Sequence, residues 1–167
     1  MPDYFNELFE RYRSRGLLID ANLLLLYFVG THDRRLTTSF KRTKAFAVED
    51  FLLLGYIIHS FDSVVTTPHV LTEVNGLSNQ IPGRVRFDYY GTFGSMAAEL
   101  DEKVMPFTTV RTDTAFRVIG LTDAAIAVVA SEPLLVLSVD LDLVTHLQHR
   151  GIDAVNFNHL RPLGWDT

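Results

Sequence analysis

Residues 17–26 read LLIDANLLLL: a short apolar run, one acid, then apolar sequence again at helix length. Leu17 to Ile19 is continuous and uncharged, the pattern of a strand buried on both faces of a parallel sheet. Asp20 therefore falls at a strand end, and Ala21 to Val29 reads as the helix that follows. A carboxylate at such a junction needs a reason, because charge is rarely buried without a partner and 47% of this chain is hydrophobic.

Three further acids stand in comparable surroundings: Glu73 in VVTTPHVLTEV, Asp123 in GLTDAAIAVVA and Asp140 in LLVLSVDLDLV. Val64 to Thr67 is β-branched throughout and stops at Pro68, so it predicts a strand, with Glu73 about one turn into the helix of residues 69–80. Thr122 is the expected N-cap of a helix through Ser131, which puts Asp123 in the first turn. Pro133 opens a strand over Leu134 to Val139 with Asp140 at its end; a helix to Arg150, closed by Gly151, and a last strand over Ile152 to Phe157 complete the pattern.

The remaining segments are less regular. Tyr4 to Arg15 reads as an amphipathic helix ending near Gly16, and Val48 to Phe61 as a helix, with a strand at its centre as the alternative. Residues 31–47 are polar and basic. Gln80 to Gly94, with Pro82, three glycines and four aromatics, reads as a loop or a bridge between helices. Met96 to Met105 reads as helical, and Thr112 to Val118 weakly so. Strands alternating with helices predict an α/β fold: one domain over residues 1–167, a three-layer α/β/α sandwich with a central parallel sheet. Ligands of such sheets bind beyond the carboxyl ends of the strands, where Asp20 and Asp140 fall.

A net charge of −5 argues against holding nucleic acid by bulk electrostatics. Eight of the 15 basic residues nevertheless lie within residues 1–44, and Arg34, Arg35, Lys41, Arg42 and Lys44 are the candidates for nucleic-acid contact; a solvated helix face or a partner patch is the plainer reading. With no cysteine there is neither a disulfide framework nor a thiolate metal site. MPDYFNELFE lacks the features of a signal peptide, and LLLLYFVG and FLLLGYII are too short to span a bilayer, so a cytoplasmic protein without membrane contact is expected.

Taken in order, Asp20 with Asn22 in LLIDANLLL, Glu73 in VLTEVNG, Asp123 in GLTDAAIAVVA, and Ser138 with Asp140 in VLSVDLDLV resemble the PIN domain family. These are metal-dependent nucleases that include the toxins of many bacterial toxin–antitoxin pairs. The resemblance implies a PIN-like fold and hydrolysis of RNA phosphodiesters at a Mg²⁺ or Mn²⁺ site. It implies Asp20, Glu73, Asp123 and Asp140 as the metal-binding and catalytic residues, with Asn22 and Ser138 holding the carboxylates by hydrogen bonds. The partners to expect are an RNA, an antitoxin-like protein and a second copy of the chain. This sequence departs from the pattern in the long segment between Asp20 and Glu73 and in the aromatic stretch from Ile81 to Phe93, which bear on substrate and partner.

Elementary electrostatics gives the same acids a purpose. Two carboxylates about 4 Å apart repel by roughly 4 kcal/mol at an effective dielectric of about 20, so a cluster takes up protons or binds a cation. Hard oxygen donors suit Mg²⁺ or Mn²⁺, and no histidine and cysteine set for zinc is present. Singly, each acid also has a plain structural reading as a helix cap, a first-turn acid or a solvated edge. Asp142 rivals Asp140 for the site.

Three other readings compete. A PIN-like binding or scaffold module would keep the acids without the activity. LLVLSVDLDLV also resembles the nucleophile motif of haloacid-dehalogenase-type phosphatases through Asp140 and Asp142, but it stands near the end of the chain rather than at the head of a domain. His69 with Glu73, and His146 with His149, have spacings that share a helix face, which exposed or satisfied histidines also show.

Overall fold

The computed structural model describes residues 3–161. Leu17–Ile19 forms β1 with all three side chains buried, and it pairs in parallel with a neighbour on each side. On one side Leu17 stands opposite Val64 of β2 (Val64–Thr66); on the other it stands opposite Leu135 of β4 (Leu135–Ser138). The two-residue β3 (Asp101–Glu102) adds to β2, and β5 (Ala154–Asn156) adds to β4. The sheet is all-parallel with the order β3-β2-β1-β4-β5.

That order reverses direction at β1. Successive strands are laid to one side of it up to β3, and the chain then crosses back to place β4 and β5 on the other. The crevice between the carboxyl ends of β1 and β4 is therefore the topological switch point, where open parallel sheets bind their ligands. Asp20 directly follows β1, and Asp140 lies two residues past the end of β4.

Ten α-helices cover this sheet among the described residues. In chain order they are α1 (Asp3–Tyr12), α2 (Ala21–His32), α3 (Arg34–Ser39), α4 (Val48–His59), α5 (Pro68–Ser78), α6 (Gly83–Ala97), α7 (Phe107–Val110), α8 (Ala115–Ile119), α9 (Leu121–Val129) and α10 (Leu141–His149). Helix α2 is buried on nearly every side, from Leu23 to Gly30, because α3, α4, α5 and α6 all pack on it; α10 instead packs on β4, β5 and α8. Crossovers to opposite sides of β1 put their helices on opposite faces when both are right-handed, so the arrangement is compatible with a three-layer sandwich. No described helix is long and apolar enough to cross a membrane.

Several expected boundaries shift for identifiable reasons. Gln80 to Gly94 is no loop: α6 is a 15-residue helix, and its aromatics explain it. Tyr89 is fully buried, its hydroxyl hydrogen-bonds Ser78 (2.9 Å), and Phe93 meets Phe28 edge to face at 5.2 Å. Packing of Val85, Tyr89 and Phe93, four residues apart, overrides the low helix propensity of three glycines. Met96 to Met105 is correspondingly not a helix; α6 ends at Ala97 and the chain runs on into β3. Val48 to His59 is helical without a central strand, and residues 34–39 of the basic stretch form α3. The end of the described chain is tied down by Arg161, whose Nε donates to the fully buried Asp50 carboxylate at 2.8 Å.

Close approach of α2 and α4 depends on Gly30. A Cβ there would stand 2.4 Å from Phe51 Cδ2, well inside contact distance, and the Phe51 ring is itself buried. Gly30→Ala is expected to force the two helices apart and cost about 1–3 kcal/mol as an overpacked site does. A melting temperature equal to that of the wild type would show that the helix pair is not held at this contact.

Candidate active site

The site is built from strand ends and helix starts. Asp20 is the N-cap of α2: its Oδ1 accepts from Leu23 N at 2.8 Å. Its Oδ2 accepts from the Ser138 hydroxyl and from Val139 N (3.0 Å), both at the end of β4. One buried carboxylate thus joins the ends of the two strands that flank the switch point. Ser138 in turn accepts from Asp140 N at 2.9 Å. Asp140 caps α10, its Oδ1 accepting from Asp142 N (2.8 Å) and Leu143 N (3.1 Å).

The other two acids arrive on helices. Thr67 caps α5 through a bond from Val70 N to its Oγ1 (3.2 Å), and Pro68 occupies the first turn, where its missing N–H costs nothing. Val70, Val74 and Ser78 face the core, which leaves Glu73 exposed. Asp123 lies in the first turn of α9, but the N-cap is Gly120 rather than Thr122. At φ +86° and ψ −177° Gly120 occupies a backbone region that is essentially glycine's alone. It serves as a one-residue joint between α8 and α9, with Ile119 and Leu121 on either side turned to the same cavity.

That cavity, about 250 Å³, is lined by Asp20, Glu73, Asp123 and Asp140 together, with Asn22 and Thr122 on its wall. The four acids singled out in the sequence therefore share one crevice. They do not stand as a ready cage: no three histidine, aspartate or glutamate side chains among the described residues are set as a metal-holding group. Their oxygens are partly spent on donors, both of Asp20's on Leu23, Ser138 and Val139, and one of Asp140's on the start of α10. Asp142 lines only a larger adjoining cavity of about 450 Å³, whereas Asp140 borders both, so position favours Asp140.

Electrostatic strain is concentrated here. Burial pushes the Asp20 carboxyl above the usual carboxylate range, the Ser138, Leu23 and Val139 donors pull it back, and the charge of Asp140 adds to the rise. Asp123 is pushed up to about 7, first by burial and then by the charges of Asp140, Asp20 and Glu73. Like charges that raise one another's affinity for protons equally favour a cation among them. All the acids offer hard oxygen donors, neither cysteine nor histidine lines the 250 Å³ cavity, and this donor chemistry fits Mg²⁺ or Mn²⁺.

The remaining sequence candidates are placed less centrally. Asn22 is exposed on the cavity wall and makes no hydrogen bond to a carboxylate among the described residues, unlike Ser138. Arg34, Arg35, Lys41, Arg42 and Lys44 are exposed, and none lines the cavities beside the acids. Arg34 and Arg35 follow the end of α2, whose twelve residues span about 18 Å from its start at Asp20 at 1.5 Å per residue. Arg35 is moreover paired with Asp33 at 2.9 Å, and the Arg34 guanidinium lies over the Phe51 ring. The Leu23 N bond is the one a helix-capping Asp20 implies, whereas the Val139 N donor, reaching in from another strand, leaves no mark in the sequence. Compared with known proteins, the chain matches no family model, no curated protein and no solved structure.

A raised carboxyl pKa has a definite sign in stability. Between the unfolded value near 3.8 and about 7 the folded protein holds more protons at Asp123 than the unfolded chain, so the stability this group permits falls as pH rises through that window. Asp123→Asn is expected to raise the melting temperature in EDTA at pH 8, and to have little effect at pH 4. A variant less stable than the wild type at pH 8 would contradict the repulsion.

Proposed function

We propose that the protein is a metal-dependent endoribonuclease with a PIN-like fold, acting on RNA phosphodiester bonds. The observation that carries this reading is the single crevice at the switch point lined by Asp20, Glu73, Asp123 and Asp140. Asp20, Asp123 and Asp140 are the residues to hold Mg²⁺ or Mn²⁺. When bound, the cation supplies Lewis acidity toward phosphorus oxygens and lowers the pKa of a coordinated water.

The chain's own groups have separable tasks. Ser138 and the N–H groups of Leu23 and Val139 fix the Asp20 carboxylate in one orientation, which a ligand needs and which a mobile side chain lacks. Asp140 is fixed through its capping bonds and keeps Oδ2 clear of the described hydrogen bonds. Glu73, exposed on α5, is free to accept a proton from the attacking water or to orient it. A toxin partnered by an antitoxin-like protein is one setting for such an enzyme.

The alternative is a PIN-like binding module that keeps the acids without the activity. Metal binding separates the two readings. Millimolar Mn²⁺ is expected to raise the melting temperature of the wild type, by the equivalent of about 2.7 kcal/mol at a hundredfold excess over Kd. Labelled single-stranded RNA should be cut by the wild type with Mn²⁺ and at least about 100-fold more slowly by Asp20→Asn and Asp123→Asn. An unshifted melting curve would overturn the metallonuclease reading, and equal cleavage by all three proteins would assign the activity to a contaminant.

A further inference from the structure

The 250 Å³ crevice does not end at the acids. The cavity of about 450 Å³ beside it shares Ile119, Asp123 and Asp140 with it, and a third cavity of about 400 Å³ on the other flank shares Glu73, Leu121 and Thr122. Together they form a groove along the carboxyl edge of the sheet. No lysine or arginine lines any part of it among the described residues. The side chains there that could carry positive charge toward a polyanion are three histidines: His69 on one flank, and His146 and His149 on the other.

The two flanks differ. The larger cavity carries two imidazoles and the Thr145 hydroxyl beside three carboxylates, Asp142 and the shared Asp123 and Asp140; the smaller shares only Glu73 among the acids and has one imidazole. His146 and His149 are three residues apart on α10, so their side chains lie on one face of the helix. His149 is exposed and His146 half-buried. Arg150, the cation next along the helix, is unavailable, being forked onto Asp113 through two bonds of 2.9 Å. The opposite wall is apolar, formed by Val118, which is 70% exposed, and Ile119.

We propose that this cavity is the subsite for the nucleotide next to the scissile phosphate, with His149 and His146 donating to its phosphate oxygens and Val118 and Ile119 lying against its sugar and base. The assignment rests on the nuclease reading above. It makes the histidines substrate-binding groups, with no part in holding the cation.

The test is steady-state cleavage of a labelled single-stranded RNA in Mn²⁺ by the wild type, His149→Gln and His146→Gln, with anisotropy of the same RNA in EDTA as a readout free of metal. His149→Gln is expected to raise KM and the EDTA Kd about 3- to 10-fold, the loss of one hydrogen bond to a charged group, with the effect on KM rather than kcat. Because His149 is exposed, its melting temperature and Mn²⁺ shift should match the wild type, and this variant decides the matter if His146→Gln fails to fold. A wild type that cleaves while His149→Gln keeps its KM and Kd overturns the subsite and leaves the nuclease standing. A wild type that neither cleaves RNA nor responds to Mn²⁺ overturns both.

Discussion

The arrangement turns on one buried carboxylate. Asp20 sits between the ends of β1 and β4, and an ionised group in that position is tolerable only if donors replace the water it has lost. Leu23 N, the Ser138 hydroxyl and Val139 N supply them. Each bond also fixes something else: the first starts α2, and the other two bind the end of β4 to the end of β1. Through Ser138 the network continues to the Asp140 backbone, and Asp140 then starts α10. Two strand ends and two helix starts are therefore set relative to one another by side chains that are themselves the candidate ligands.

An arrangement chosen for stability alone would look different. An apolar residue at 123 would remove a partly buried charge from beside three others. The fold instead keeps Asp123 where burial and its neighbours raise its pKa to about 7. Local departures from what packing would favour, gathered in one crevice at the switch point, are where function is to be sought. The acids are separately supported by β1, α5, α9 and β4, elements far apart in sequence, so their meeting is a property of the topology and not of any one motif.

How much of this could be read in the sequence depended on whether the local pattern had a single interpretation. LLIDANLLLL and LLVLSVDLDLV each combine an apolar run with an acid at its end, and both strands and both junctions stand within a residue or so of their expected places. Residues 80–94 misled because Pro82 and three glycines signal a loop, while the four-residue spacing of Val85, Tyr89 and Phe93, which was there to be counted, signals the helix that forms. Strand β3 carries no such signal: Asp101 and Glu102 are two exposed acids whose pairing with Val65 and Thr66 is set by the sheet edge. The cap of α9 was misplaced by two residues because Thr122 has the better capping side chain, whereas Gly120 has the backbone freedom the turn from α8 requires.

The charge distribution adds a last constraint. The basic residues of positions 34–44 that looked suited to phosphate line none of the cavities beside the acids, while the groove that holds the acids contains histidines as its sole cation-capable side chains among the described residues. A polyanion approaching the bare groove is repelled by the same carboxylates that would process it. On the nuclease reading, a divalent cation must therefore offset that charge as well as assist the chemistry, so cation and RNA bind with positive coupling. Linkage makes the effect reciprocal: RNA must tighten the cation by the same factor by which the cation tightens RNA.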